Sequence, residues 1–136
     1  MRTVALDAAF RATCYRVDSR SGEFDLRIGV VNPRFDDFLS AQGVRCWGLI
    51  TAHNPGGVRR DEHNAARQQA LQRRLDDLSW RWFAACNLAD SGGWPAEPSV
   101  LIVGVGETEL RALAAEFSQA AIVCGEVGCA PRLVWL

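Results

Sequence analysis

The sequence predicts one domain over residues 1–136, of α+β or α/β class: a mixed β-sheet with helices packed on it, in the order α-β-β-α-β-α-β-β-α-β-β. Three observations carry that prediction. CWGLITA (46–52) and SVLIVGV (99–105) are apolar throughout, as strands covered on both faces are, and are expected at the centre of the sheet. FDLRIGVV (24–31) alternates Phe24, Leu26, Ile28 and Val30 with Asp25, Arg27 and Gly29, which fits a half-buried strand nearer an edge. Residues 61–78 carry the longest helical pattern of the chain.

Each element has a local reason. Thr3 can cap a first helix whose Leu6, Ala9 and Phe10 share a face. CYRV (14–17) pairs as a hairpin with the 24–31 strand across the polar turn 18–23. Asn32 is a helix cap followed by Pro33 in the first turn, Phe35, Phe38 and Leu39 form the apolar stripe, and Gly43 supplies a left-handed stop. Asp61 is the expected cap of the long helix. With Leu71 set at zero and 100° per residue, Leu75 falls at about 40°, Leu78 near −20°, Asn64 near 20° and Arg67 near −40°. Two polar residues thus share the leucine face in the helix's first turns. WRWFAACNLA (80–89) begins a strand, DSGGWPAEPS (90–99) is a surface loop, Leu110, Leu113, Ala114 and Phe117 mark a helix over 107–118, and QAAIVCGE and RLVWL close the chain as strands.

Composition narrows the function classes. A length of 136 residues and a hydrophobic fraction of 49% suffice for one core without staples. The net charge of −1 gives no basic field, so neither nucleic acid nor a membrane surface is expected as a partner. No lysine is present, which excludes Schiff-base chemistry and a P-loop. Five cysteines without a CxxC pair suit a reducing cytoplasm, and no signal peptide or membrane span is apparent. His53, His63, Cys124 and Cys129 match no zinc spacing, so neither a metal nor a cofactor is expected.

The polar residues gather where the first apolar strand meets the long helix. His53-Asn54-Pro55-Gly56-Gly57 follows a central strand, a position at which α/β sheets place ligands, though the same residues are ordinary turn chemistry. Arg59 and Arg60 precede a helix start, but Asp61 and Glu62 there oppose an anion. Gly104-Val105-Gly106 lacks the third glycine of a dinucleotide fingerprint, Glu109 standing in its place. A GxSxG elbow is absent, so no serine nucleophile is assigned.

Together WGLITAHNPGG, the helix start bearing Asn64 and Arg67, EPSVLIVGV and EFSQAAIV resemble a bacterial family, domain of unknown function 3293. Thr51, Ala52, Asn54, Pro55, Asn64, Arg67, Glu97, Ser99, Phe117, Gln119 and Ala121 match its pattern, while His63 replaces a glutamate. The resemblance implies no activity. The expected site is a pocket for a small polar or anionic ligand at the 53–67 junction: His53 and Glu97 for proton transfer, with no nucleophile assigned, and Asn54, Asn64, Arg67, Ser99 and Gln119 for binding. Such chemistry would serve a hydrolase-type reaction. The competing account is a non-catalytic interaction or homodimerisation module in which exposed tryptophans make the surface and the polar residues are structural.

Overall fold

A computed structural model describes residues 2–54 and 62–136. The elements follow the expected order: α1 (Val4–Arg11), β1 (Thr13–Ser19), β2 (Gly22–Leu26), α2 (Pro33–Ala41), β3 (Cys46–Ile50), α3 (Asn64–Asp77), β4 (Arg81–Ala89), β5 (Glu97–Val103), α4 (Glu107–Glu116), β6 (Ala121–Glu126) and β7 (Arg132–Trp135). The strands form one sheet in the order β2-β1-β4-β5-β3-β6-β7, so the two all-apolar strands are central and β2 is an edge.

Neighbouring strands are antiparallel throughout. The helical crossovers explain how this follows from an alternating sequence. β3-α3-β4 leaves a gap that β5 fills, and β5-α4-β6 leaves a gap that β3 fills. Parallel strands are therefore never adjacent, and β3 to β6 form a split β-α-β-β-α-β unit. The β1–β2 hairpin extends it on one side and β7 on the other.

Period-two alternation gives each face its own core. Val100 and Ile102 of β5 pack with Leu71 and Leu75 of α3 and Leu110 and Leu113 of α4. Leu101 and Val103 point the other way, to Trp47, Phe24 and the Phe35, Phe38 and Leu39 stripe of α2.

The Asn32 cap is present, its Oδ1 accepting from the Phe35 N–H at 3.0 Å, and Gly43 adopts φ +72°. Ser79 and Ser118 take the same left-handed seat after α3 and α4, each at φ +56°. The period-two pattern of 24–31 overruns its strand, which ends at Leu26. Beyond that residue, Cys14 and Thr13 of β1 pair with β4 alone, and Gly29 turns the chain at φ +83° with its N–H bonded to the Pro131 carbonyl. α3 starts at Asn64, with left-handed His63 in the cap position. The Asp61 cap, the Arg59–Arg60 pair and Pro55 to Gly57 lie outside the described residues. Among the described residues no helix is long and apolar enough to cross a membrane.

Candidate functional site

Where the chain leaves β3 it loses its sheet partners, and buried backbone groups then need others. Four side chains supply them. The Ala52 N–H donates to Gln68 Oε1 (3.1 Å), the His53 N–H to Thr51 Oγ (3.1 Å) and the Asn54 N–H to Asn64 Oδ1 (3.0 Å). Gln119 Nε2 donates to the His53 carbonyl at 3.1 Å. Asn64 Nδ2 returns a bond to Asn54 Oδ1 (3.0 Å), and Arg67 Nη2 reaches Asn64 Oδ1 (2.9 Å). The helical phase placed Asn64 correctly: it is buried on the face of Leu71 and Leu75, together with Gln68.

The network continues across the sheet. Asn54 Nδ2 donates to Glu97 Oε2 at 2.8 Å, Asn87 Nδ2 approaches Glu97 Oε1 at 3.4 Å, and the Ser99 hydroxyl donates to Asn87 Oδ1 at 2.8 Å. Each amide oxygen is occupied from outside, by Asn64 or by Ser99, so both NH2 groups face the Glu97 carboxylate. Burial nevertheless raises the Glu97 pKa above the ordinary glutamate range, against the lowering effect of hydrogen bonds from Asn54, Asn87, Thr51 and Trp94.

Glu97 lines a cavity of about 530 Å³ beside α1. Tyr15 belongs both to its wall and to the α2-side core. Leu6, Ala9 and Phe10 supply an apolar wall from α1, a helix with no buried residue of its own. The helix is tied down by the Tyr15 hydroxyl, which donates to the Phe10 carbonyl (2.9 Å), and by an edge-to-face contact of Phe10 with Trp135.

Of the expected site residues, His53, Asn54, Glu97 and Gln119 line this cavity. Asn64, Arg67 and Ser99 are not among its described walls; they orient Asn54 and Asn87 from behind. His53 is partly buried, and burial, aided by the Arg67 charge, lowers its pKa, which favours a neutral ring at pH 7. Its Nε2 is enclosed without a hydrogen-bond partner among the described residues, as are Arg67 Nε and Gln68 Nε2.

Asn87, Tyr15 and Gln68 were not singled out by the sequence reading. Gln68 falls at about 60° on the same helical wheel, so phase alone would have found it. Asn87 sits opposite Glu97 in the β4–β5 register, which requires the hairpin across residues 90–96 to be known. The tryptophans form no common exposed surface: Trp47 is buried, Trp80 and Trp82 pack on the α3–α4 core, Trp135 meets Phe10, and Trp94, 42% exposed, lies at the cavity.

The raised Glu97 pKa has a consequence for stability. An acid whose folded pKa exceeds its unfolded value contributes fully below the unfolded value, and that contribution declines as pH rises through the folded one. Asp25, Asp90 and Glu116, lowered chiefly by hydrogen bonds from Arg16, Arg27 and Arg74, act in the opposite sense. They are common to wild type and Glu97→Gln and cancel in the difference. The Tm of wild type minus that of Glu97→Gln is therefore expected to fall as pH rises above the ordinary glutamate range. A flat or rising difference would mean that the carboxylate is not held in a desolvated position.

A model of the family described as "Protein of unknown function (DUF3293)" matches residues 50–122, more than half of the chain, and the protein belongs to that family. The matched segment runs from the last residue of β3 into β6 and contains Asn54, Asn64, Arg67, Glu97, Ser99 and Gln119. No curated protein and no solved structure matches the chain.

Proposed function

We propose that this member of the DUF3293 family binds a small polar molecule in the cavity between α1 and the ends of β3, β4 and β5, with Glu97 as the group that exchanges a proton with it. The observation that carries this reading is a carboxylate at a cavity wall, faced by two amides whose orientation is fixed from behind. A volume of about 530 Å³ falls within the range of small-molecule sites. A carboxyl group raised from its ordinary range is suited to general acid or base work, as a hydrolase-type reaction requires.

The other residues divide by position. Asn54 and Asn87 hold Glu97, and Thr51 and Gln119 fix the His53 backbone beside it. His53 contributes a neutral ring to the wall, while its enclosed Nε2 leaves Glu97 as the better proton carrier. Asn64 and Arg67 are supports in this reading. The packing of Trp47, Trp80 and Trp82 gives the interaction-module account little surface to use.

A thermal-shift screen of metabolites on wild type, Glu97→Gln and Arg67→Ala tests the proposal. Compounds that raise the wild-type Tm are expected to lose most of that effect in Glu97→Gln and to keep it in Arg67→Ala. Loss confined to Arg67→Ala would move the site to the start of α3, and a screen without any stabilising compound would remove the proposal.

A further inference from the structure

We infer that the cavity takes a cationic amine carrying an apolar group, in preference to an anion or a neutral alcohol of the same shape. This rests on the cavity being a ligand site and adds the chemical class of its occupant. Glu97 is the only acidic residue among the described walls, and no arginine stands among them. No described salt bridge includes it.

Among the described residues this carboxylate lacks the counter-charge that usually accompanies burial. The amides of Asn54 and Asn87 solvate it with neutral donors but do not neutralise it. An ammonium group does both, donating charge-assisted hydrogen bonds and removing the uncompensated charge. An anion at the same place meets like-charge repulsion, with no described arginine in the wall to offset it. An alcohol finds an acceptor but supplies no charge.

The remainder of the wall sets the other half of the ligand. Leu6, Ala9 and Phe10 of α1 present carbon surface to the cavity, and Trp94, which also hydrogen-bonds Glu97, borders it. Small alanines on the helix leave room for a ring or a short branched chain. The geometry therefore suits an aryl or alkyl amine whose head reaches Glu97 while its body lies along α1.

The test is an NMR titration of the whole chain with benzylamine, benzyl alcohol and benzoate at about pH 7.5, where the amine is cationic and benzoate anionic. Amide resonances of Tyr15, Thr51, Ala89 and Glu97 report the site. Benzylamine is expected to bind at least about tenfold more tightly than benzyl alcohol, as a hydrogen bond to a charged group implies, and benzoate more weakly still. In Glu97→Gln the amine is expected to fall to within about twofold of the alcohol. Ala9→Phe, which adds bulk to the apolar wall on α1, is expected to weaken all the probes together. Equal binding of amine and alcohol to wild type, or a preference for benzoate, overturns the amine assignment and leaves the cavity reading standing. No shift of these resonances with any probe overturns both.

Discussion

Replacing Asn64 with alanine is expected to destabilise the protein by roughly 3 kcal/mol and to release Asn54 from Glu97. Asn64 is 7% exposed, and both ends of its amide are used. Its Oδ1 receives the Asn54 N–H and Arg67 Nη2, and its Nδ2 donates to Asn54 Oδ1. Alanine leaves the Asn54 N–H without that acceptor in a place with little access to water. Loss of buried hydrogen bonds of this kind costs about 1–3 kcal/mol, which exceeds the small gain in helix propensity from alanine.

Leucine at the same position sharpens the test. It extends the apolar stripe of Leu71 and Leu75, so an account based on hydrophobic burial alone makes Asn64→Leu neutral or stabilising. The hydrogen-bond account makes it nearly as damaging as alanine. Denaturant unfolding with an unchanged m-value is the measurement. A midpoint within about 0.5 kcal/mol of wild type for either variant would show that the Asn54–Asn64 pair contributes little. The double variant Asn54→Ala/Asn64→Ala should lose less than the sum of the singles, because each single change already removes the bonds the two side chains share.

These same bonds show how far the sequence could be read. Helical phase was sufficient to turn Asn64 inward, because a helix of this length fixes the direction of every side chain relative to Leu71 and Leu75. Phase could not say what the inward side chain touches. Asn64 faces the loop backbone and holds Asn54, and it is Asn54 that reaches Glu97 from the opposite side. The candidate site thus lies one residue further along the network than the helix pattern suggested.

The cavity itself was not legible. Its walls join α1 to the ends of β3 and β5, segments far apart in the chain. Leu6 and Phe10 show that α1 has an apolar face, but the pattern does not state whether that face packs on a core or borders an opening. Central placement of β3 and β5 was readable because a strand covered on both faces needs apolar residues at every position. The end of β2 was not, since Ile28 and Val30 keep the alternation going after pairing with β1 has ended at Leu26.

Alanine at Gly125 is expected to cost about 2–3 kcal/mol, although alanine is otherwise the less flexible and more favourable residue in a strand. Gly125 stands directly opposite Trp47 in the β3–β6 register. A Cβ there would lie 2.9 Å from Trp47 Cζ2 and 3.1 Å from its Cε2. The indole is 2% exposed and meets Phe35 edge-on, with centroids 5.3 Å apart, so it cannot swing aside without disturbing the α2-side core. Gly48 offers a control. A Cβ there would come within 2.6 Å of Leu110 Cδ1, a closer approach, but the contact is the end of a side chain with rotamers to explore. Gly48→Ala should therefore cost less than Gly125→Ala despite the shorter distance. Denaturant midpoints decide the order, and near-ultraviolet circular dichroism should register the disturbed indole only in Gly125→Ala. The reverse order would mean that Trp47 yields more readily than Leu110, and that rigidity of the aromatic cluster is not what holds the glycine in place.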